Sequence, residues 1–351
     1  MPSARQTAFN ILHRVNEGAY ASDLLLRESV ELPARDAGLA EAIVFGCLRF
    51  QAQLDFLIDR FAGRKQPKLD PEVRIALRMG IYQLRYLERI PPHAAVTESV
   101  ELVKRARKAS AAGFVNAVLR KVNRDLVEWP DRATELSVPE WMLKRWTLQY
   151  GAEAAEKIAC AALEQPDSPI NPATGRRQDQ GSQSIVPLLE IESGMTVLDV
   201  CAAPGNKTAQ IIAAGGRAVA CDRSFARLKE VPDAAKRVVA DASLPLPFRM
   251  KFDRILVDAP CSGTGTLSRN PEIKWRMQPS DIARFPPLQT SILRAALACL
   301  KPGGRLVYST CSLEREENQD VVAAFAVEAT QVRLPGRDAG DGFFAAVITR
   351  L

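Results

Sequence analysis

The chain has 351 residues, of which 47% are hydrophobic and 25% charged, a composition typical of globular proteins with two or three domains. No run of about 20 apolar residues occurs and the N-terminus lacks the apolar core of a secretory leader, so we expect a cytoplasmic protein without a membrane span. Seven cysteines, an odd number with no C-x-x-C pair, argue against a disulfide framework and a zinc site, and we predict no metal.

The net charge is +6, and most of the excess lies in residues 1–130, which hold 20 basic and 15 acidic side chains. A basic surplus on one domain fits a polyanionic partner, although any soluble domain with a basic isoelectric point would show the same balance. The two histidines, His13 and His93, lie in the N-terminal half, which argues against a histidine base in the C-terminal half.

Residues 3 to about 163 carry apolar side chains at helical spacing and predict an all-helical domain. Asp70-Pro71-Glu72 is typical of a helix start with Asp70 as the capping residue, and that helix is predicted to reach Leu87. Pro91-Pro92 interrupts the pattern, and a further helix is predicted over residues 93–108. The predicted buried helix faces contain Ala8, Ile11, Leu12, Val15, Leu54, Leu57, Ile58, Phe61, Phe114, Val115, Val118 and Leu119.

The pattern changes after residues 164–175, a proline-rich segment that we interpret as a linker. Short β-rich runs then alternate with helical stretches, which predicts a parallel sheet with helices on both faces. We therefore predict a helical domain over residues 1–130, a helical connector and linker over 131–177, and an α/β domain over 178–351. The predicted strands are 195–201, 217–222, 237–241, 252–260, 304–311 and 343–350.

The first chemical motif, DVCAAPGNKT at residues 199–208, connects the first strand to a helix. Its small residues let a ligand approach the backbone at the crevice where open α/β sheets bind cofactors. It is neither a phosphate loop nor a G-x-G-x-x-G loop, and standing alone it would be read as an ordinary turn. The candidate cofactor-binding residues in it are Cys201, Ala202, Ala203, Pro204, Gly205, Asn206 and Lys207.

Two acids follow the next strands. Asp222, at the end of the second strand, is suited to accept hydrogen bonds from both ribose hydroxyls of an adenosine, and Asp241, after the third, can reach the adenine amino group. Either acid alone could equally cap a helix. Together with the loop they predict a nucleoside site, with a charged sulfonium as a natural cargo.

Two cysteines follow the fourth and fifth strands. Cys261 lies in Asp258-Ala259-Pro260-Cys261 and Cys311 in a Ser-Thr-Cys-Ser sequence. Because these strands are neighbours in a doubly wound sheet, we expect both sulfurs within several ångströms of one another. A single strand cysteine usually packs in a core, and we interpret Cys47, Cys160, Cys221 and Cys299, which lie in apolar contexts, in this way.

These motifs resemble the RNA cytosine-C5 methyltransferases of the Nop2/Sun family, whose catalytic domain is a Rossmann-like class I methyltransferase with a mostly parallel seven-stranded sheet. Residues 90–104 and 113–121 resemble the NusB RNA-binding fold. The combination is similar to bacterial enzymes that methylate cytosine 967 of 16S rRNA, and residues 178–183, 269–275, 340–346 and a predicted helix after Cys311 match as well. The resemblance implies S-adenosylmethionine as cofactor, 16S rRNA as partner and a monomer.

Cytosine C5 is a poor nucleophile until a thiolate adds to C6. The resemblance implies that Cys311 is this nucleophile, that Cys261 helps release the product, and that Asp258 binds the cofactor side or N3 of the ring. The positive charge of Lys207 would then favour the thiolate form of the nucleophilic cysteine or orient Asp258. Cys201 is interpreted as packing rather than chemistry.

A target base must leave its stack to react, and the helical domain is suited to hold the surrounding RNA through phosphates. The basic candidates are Lys104, Arg105, Arg107, Lys108, Arg120, Lys121 and Arg124, for which a solvated helix face is the alternative.

The sequence departs from the family at three points. A small α/β subdomain that precedes the catalytic motifs is missing, and only residues 164–177 stand in its place. The short interval between Asp222 and Asp241 leaves room for a brief helix only. Asn206 replaces a usual glycine, and because asparagine tolerates left-handed backbone we expect cofactor binding to survive.

Three alternatives remain. The same chemistry could act on tRNA or on another rRNA site. The chain could be a non-catalytic RNA-binding factor with a relic methyltransferase domain. The chain could also be a DNA methyltransferase, in which Cys261 would be essential and Cys311 dispensable.

Overall fold

The computed structural model describes residues 3–63 and 68–350 and divides the chain into two compact units. The first unit comprises residues 1–144 together with 270–276, and the second comprises 145–269 together with 277–351. The predicted domain division stays a prediction, and its boundaries differ from those of the compact units. Residues 131–144 belong to the first unit, and so does the segment 270–276 from the C-terminal half.

The first unit is helical, as predicted, and encloses one apolar core. All the predicted helix-face residues are buried in it, except that Phe114 is only half-buried. The helices are α1 (Ala4–Asn16), α2 (Ala21–Glu28), α3 (Ala34–Arg49), α4 (Gln51–Ala62), α5 (Pro71–Tyr86), α6 (Pro92–Arg105), α7 (Ala112–Leu119), α8 (Arg132–Glu135) and the beginning of α9 (Glu140–Tyr150).

The predicted start of α5 is confirmed, whereas the predicted end of α6 was wrong. Asp70 is the N-cap residue and Pro71 occupies the first turn of α5, although the Asp70 side chain makes no capping hydrogen bond and instead pairs with Lys108 Nζ at 2.9 Å. Helix α6 ends at Arg105, short of the predicted Lys108, because Arg107 takes a left-handed backbone with φ of 60° that stops the helix.

The second unit is built on a seven-stranded, mostly parallel sheet, which confirms the predicted fold class. The strand order is β3-β2-β1-β4-β5-β7-β6, and only the contacts of β7 with β5 and β6 are antiparallel. The edge strand β6 was missed. The strands are β1 (Thr196–Asp199), β2 (Arg217–Asp222), β3 (Lys236–Val239), β4 (Phe252–Asp258), β5 (Leu300–Thr310), β6 (Val327–Arg333) and β7 (Phe343–Thr349).

Each face of the sheet has its own apolar core. One contains Ile292, Leu293 and Ala296 of a long helix, and the other contains Ile211 of the helix that follows β1. Strands covered on both faces must be apolar throughout, which is why β1 and β4 read as short apolar runs. The remaining helices of this unit are α10 (Ala152–Ala161), α11 (Gln180–Gln183), α12 (Asn206–Ala213), α13 (Phe225–Leu228), α15 (Phe285–Ala298) and α16 (Gln319–Val322), whereas α14 (Ile273–Arg276) lies in the segment that belongs to the first unit.

Connections in this unit largely follow the predictions. Helix α13 is brief, as the short interval between Asp222 and Asp241 requires. The predicted linker 164–175 contains no helix and none of the strands β1 to β7. The predicted helix after Cys311 is instead a 3-10 turn, Arg315–Glu317, followed by α16, because the backbone of Asn318 leaves the helical region with ψ of −96°.

The segment 270–276 belongs to the first unit because its side chains satisfy helix ends there. Lys274 Nζ donates to the carbonyls of Arg49 and Ser137, both at 2.8 Å, and Trp275 Nε1 donates to Leu48 O at 2.7 Å. The bonds to Leu48 and Arg49 satisfy carbonyls that the end of α3 leaves unpaired. Burial lowers the pKa of Lys274 to about 7, so its amine approaches the neutral form, whose two N–H groups match the two acceptors.

Among the helices that the structure describes, none is long and apolar enough to cross a membrane.

Candidate active site

The carboxyl edge of the parallel strands gathers the predicted chemical residues. Strand β1 ends at Asp199 and pairs with β4, which ends at Asp258, and Asp258 in turn lies opposite Ser309 of β5. On the other side β2 ends at Asp222, whose carbonyl accepts a hydrogen bond from Ala240 N after β3. Parallel strands therefore bring all the strand-end motifs to one edge, as expected.

The loop after β1 depends on one glycine. Gly205 has a left-handed φ of 99°, and a Cβ atom there would lie 2.7 Å from the Cα atom of Val231. Only glycine meets both conditions. The expectation for Asn206 was misplaced, because Asn206 is the first residue of α12 and has no left-handed backbone; the turn is made one residue earlier.

Asp199 is a site residue that the sequence analysis did not single out. Its Oδ2 accepts from Thr208 Oγ1 at 2.7 Å, whereas its Oδ1 is buried and has no hydrogen-bond partner among the described residues. Burial, with added repulsion from Asp258 and Asp222, raises the pKa of Asp199 to about 7. The carboxylates of Asp199, Asp222 and Asp258, one of which has an oxygen free to accept a hydrogen bond, suit a ligand that carries cationic sulfonium and ammonium groups.

The two acids predicted to hold the nucleoside differ in exposure. Asp222 is buried and accepts from Ala203 N at 3.2 Å and from Ser224 N at 2.9 Å, so it also shapes the loop after β1. Asp241 is exposed, and its hydrogen bonds from Ser243 lower its pKa. Both carboxylates are therefore at the edge where a nucleoside would lie, one fixed and one facing solvent.

Lys207 and Asp258 form the central ion pair of the site. Lys207 Nζ lies 2.6 Å from Asp258 Oδ2, and Ser309 Oγ donates to Asp258 Oδ1 at 2.8 Å. Burial opposes the charge on Lys207, but Asp258, together with Cys311 and Asp199, raises its pKa above the ordinary value. The lysine therefore stays cationic beside both the carboxylate and the thiol.

The two predicted cysteines are in contact, with Cys261 Sγ 3.3 Å from Cys311 Sγ. The hydrogen bond to Cys311 and then burial raise the pKa of Cys261 well above its ordinary value. The thiol of Cys261 therefore keeps its proton. Burial and nearby acids also raise the pKa of Cys201, which fits a packing role for that thiol.

A second polar cluster joins three of the matched sequence stretches. Arg269 Nε lies 2.6 Å from Asp341 Oδ2, and its Nη2 lies 2.9 Å from Asp179 Oδ2. Next to Asp341, Gly342 N donates to Gly265 O, and Gly265 N donates to Cys311 O. This Arg269 cluster therefore braces the loop after β4 against the turn that carries Cys311. Burial, and then the charge of Asp179, raise the pKa of Asp341 to about 6.

The basic candidates of the first unit are partly engaged within it. Lys104 pairs with Glu101, Lys108 with Asp70, and Arg124 donates to carbonyls at the end of α5. The packing interpretation holds for Cys47, Cys221 and Cys299, which are buried, but it was wrong for Cys160, which is exposed on α10 because its position faces away from the core.

Comparisons with known proteins extend along the chain. A family model for the 16S rRNA methyltransferase RsmB/F matches residues 186–343, and a NusB family model matches residues 2–124. The chain is 35% identical over 396 residues to the probable ribosomal RNA small subunit methyltransferase B of Bacillus subtilis, covering 93% of this chain and 88% of that protein. It is 32% identical to ribosomal RNA small subunit methyltransferase B of Klebsiella pneumoniae, covering 96% and 95%.

Solved structures agree on the fold. The crystal structure of PH0851 superposes with a TM-score of 0.77 at 20% identity, over 98% of both chains. A methyltransferase homolog protein from Pyrococcus horikoshii gives a TM-score of 0.53 at 25% identity, over 64% of this chain and all of that one.

A sheet of this order, with a small-residue loop after β1 and acids after β2 and β4, defines an S-adenosylmethionine-dependent methyltransferase. An S-adenosylmethionine cofactor fits the unpaired, buried oxygen of Asp199 and the acidic surroundings. With the family-model matches and relatives above 30% identity along almost their whole length, the chain belongs to the RsmB/F family of 16S rRNA methyltransferases and carries the family's NusB domain.

Proposed function

We propose that the protein methylates C5 of a cytosine in 16S rRNA, at position 967 by resemblance, through a covalent adduct between Cys311 and C6. The observation that supports the proposal is the 3.3 Å contact between Cys261 Sγ and Cys311 Sγ, at the sheet edge that also carries the Lys207–Asp258 ion pair. Of the two thiols, Cys311 is the one that interacts electrostatically with the cationic Lys207, which suits it to attack.

S-adenosylmethionine, when bound, supplies an electrophilic methyl group. Cys311 forms the C–S bond at C6 while N3 takes up a proton, which turns the ring into an enamine with a nucleophilic C5. After transfer, the C5 proton leaves, the C–S bond breaks and N3 loses its added proton. Asp258, held by Lys207 and Ser309, is positioned either for N3 or for the cofactor side, and Cys261 assists release of Cys311.

The cofactor would lie along the edge of the sheet. The loop Cys201–Lys207 would surround it, Asp222 would accept from the ribose hydroxyls, and Asp241 would accept from the adenine amino group. Asp258 would lie on its reactive side. To these predicted residues we add Asp199, because its unpaired Oδ1 offers an acceptor for a cationic group.

The helical NusB-like domain would hold the RNA. The candidates that neither form one of the ion pairs described above nor bind the end of α5, Arg105, Arg107, Arg120 and Lys121, are all exposed and remain suited to phosphates. The Bacillus alignment runs over more positions than this chain has residues, so part of that protein has no counterpart here. A missing subdomain before residue 178 agrees with this, and it makes another rRNA site or a tRNA the main alternative target. We further propose a monomer and a cytoplasmic location.

A trapping experiment tests the chemistry. Wild type, Cys261→Ala, Cys311→Ala and the surface control Cys160→Ala would be incubated with a 16S rRNA fragment and labelled S-adenosylmethionine, then examined on a denaturing gel and by bisulfite sequencing. We expect Cys261→Ala to accumulate a covalent RNA adduct, Cys311→Ala to give neither adduct nor product, and the control to behave as wild type.

The alternatives give different results. Methylation by Cys311→Ala would contradict the assigned nucleophile, and loss in Cys261→Ala alone on a DNA substrate would favour a DNA enzyme. If the wild-type protein binds no S-adenosylmethionine in calorimetry, the result would favour a non-catalytic RNA-binding factor with a relic methyltransferase domain. If it methylates tRNA and not the 16S fragment, the result would identify tRNA as the target.

A further inference from the structure

One buried carboxylate joins the turns that follow the two cysteines. Glu317 is fully buried, and its Oε2 accepts from Ser262 N at 2.9 Å and from Gln289 Nε2 at 3.0 Å. Its Oε1 accepts from Ser312 Oγ at 2.6 Å. Because Ser262 follows Cys261 and Ser312 follows Cys311, a single side chain holds the residue next to each sulfur.

Further bonds fix this carboxylate in place. Gln289 Nε2 also donates to Pro260 O at 3.0 Å, and Ser262 Oγ lies 3.0 Å from Ser312 Oγ. The backbone of Glu317 is held separately, since Tyr308 Oη donates to its carbonyl at 2.7 Å. The link therefore reaches both sides of Cys261 and does not depend on solvent.

A carboxylate in this position is costly for folding alone. Within the described part of the chain, its hydrogen-bond partners are all neutral donors, and a buried charge without a cation partner is stabilised less than a paired one. Glu317 is a buried carboxylate without a cation partner among the described residues, and it joins the two turns that carry the reactive cysteines. This combination points to a functional role rather than to packing.

We propose that Glu317 is a positioning residue for the methyl transfer, which holds the turns after β4 and β5 so that the sulfurs of Cys261 and Cys311 stay in contact. This inference rests on the proposed function. Glu317 also contributes, after the hydrogen bond to Cys311, burial and the electrostatic interaction with Cys311, to the raised pKa of Cys261, so it favours the protonated form of Cys261.

The test compares Glu317→Ala, Glu317→Gln and a matched control, Glu316→Gln. Glu316 lies in the same turn but pairs with Arg145 at 2.8 Å and is not bonded to Ser262 or Ser312. A glutamine amide at position 317 can still accept from Ser262 N and donate to Ser312 Oγ. One readout is kcat and KM for RNA and S-adenosylmethionine. The other needs no RNA: the rate at which diamide forms the Cys261–Cys311 disulfide, followed by peptide mass spectrometry.

We expect Glu317→Ala to lower kcat about 100-fold, the size of effect that a displacement of about 1 Å produces, with both KM values nearly unchanged. It should also slow the disulfide at least tenfold, because the bond demands a narrow Cβ–Cβ geometry. Glu317→Gln should recover most of the disulfide rate, and Glu316→Gln should match wild type in both readouts.

Wild-type kcat and disulfide rate in Glu317→Ala would overturn the proposal, and so would a Glu317→Gln variant no better than Glu317→Ala in both. If Glu317→Ala fails to fold, Ser312→Ala removes the same link by one oxygen and carries the same expectation. If wild type methylates no RNA, the proposed function fails, while the disulfide rates still decide whether Glu317 positions the two turns.

Discussion

Replacing Asp199 by asparagine should stabilise the fold at pH 8 and weaken cofactor binding at the same time. Asp199 is buried at the end of β1, and its pKa is raised from 3.8 to about 7, first by burial and further by Asp258 and Asp222. Asparagine has nearly the same size and can still accept from Thr208, so the substitution removes the charge with little change in packing.

The size of the effect follows from the two pKa values. Between pH 3.8 and about 7 the folded state binds more protons at this carboxyl than the unfolded state, so stability falls as the pH rises through that window. A difference of about three pKa units corresponds to about 4 kcal/mol at pH 8, which the Asn variant should regain in part. Near pH 4 the two proteins should be almost equally stable.

Urea unfolding of wild type and Asp199→Asn at pH 5.5 and pH 8 measures the first effect, and titration calorimetry with S-adenosylmethionine measures the second. Asp233→Asn is the control, because Asp233 is exposed and its ion pair is with Arg237 on the surface. A stability gain that does not grow with pH would refute the burial argument. Unchanged cofactor affinity would refute the placement of Asp199 beside the cofactor.

Three further predictions concern other charged groups. Lys207→Met should lower the single-turnover methylation rate about 100-fold or more, because it removes the cation beside Asp258 and Cys311. Arg269→Gln should cost about 3–5 kcal/mol in urea unfolding at pH 8, since it leaves Asp179 and Asp341 without their shared cation; the loss should shrink at pH 5, where Asp341, with a pKa of about 6, takes up a proton. Lys274→Met should flatten a rise in thermal stability between pH 7 and pH 10, because the folded state binds fewer protons than the unfolded state while the pKa of Lys274 is lowered to about 7.

The sequence predicts those parts of the fold that local patterns determine. Helix faces such as Leu54, Leu57 and Ile58 repeat every three or four residues, and central strands are short apolar runs. Strand β6 contains no buried residue and mixes polar with small or apolar side chains because it lies at the edge of the sheet, so it shows no such run. The membership of segment 270–276 in the first unit depends on carbonyls more than 100 residues away, which no local pattern reveals.

The same distinction separates the predicted from the missed site residues. Asp222, Asp258, Cys261 and Cys311 follow strands, and the rule that parallel strands end at one edge brings them together. Whether a residue is paired is a different matter. The unpaired Oδ1 of Asp199 and the bonds of Glu317 arise between side chains far apart in the chain, so only the structure identifies them.

Features that folding alone does not require occur together at the carboxyl edge of the parallel strands. Here a carboxylate keeps a buried oxygen without a hydrogen-bond partner among the described residues, a glycine adopts left-handed backbone against the Cα atom of Val231, and two thiols touch without forming a disulfide. The buried charge costs stability, and a sequence selected for folding alone would replace Asp199 with a neutral side chain. The charge that weakens the fold at neutral pH is the same charge that would attract a cationic cofactor, so stability and binding should change in opposite directions whenever it is removed.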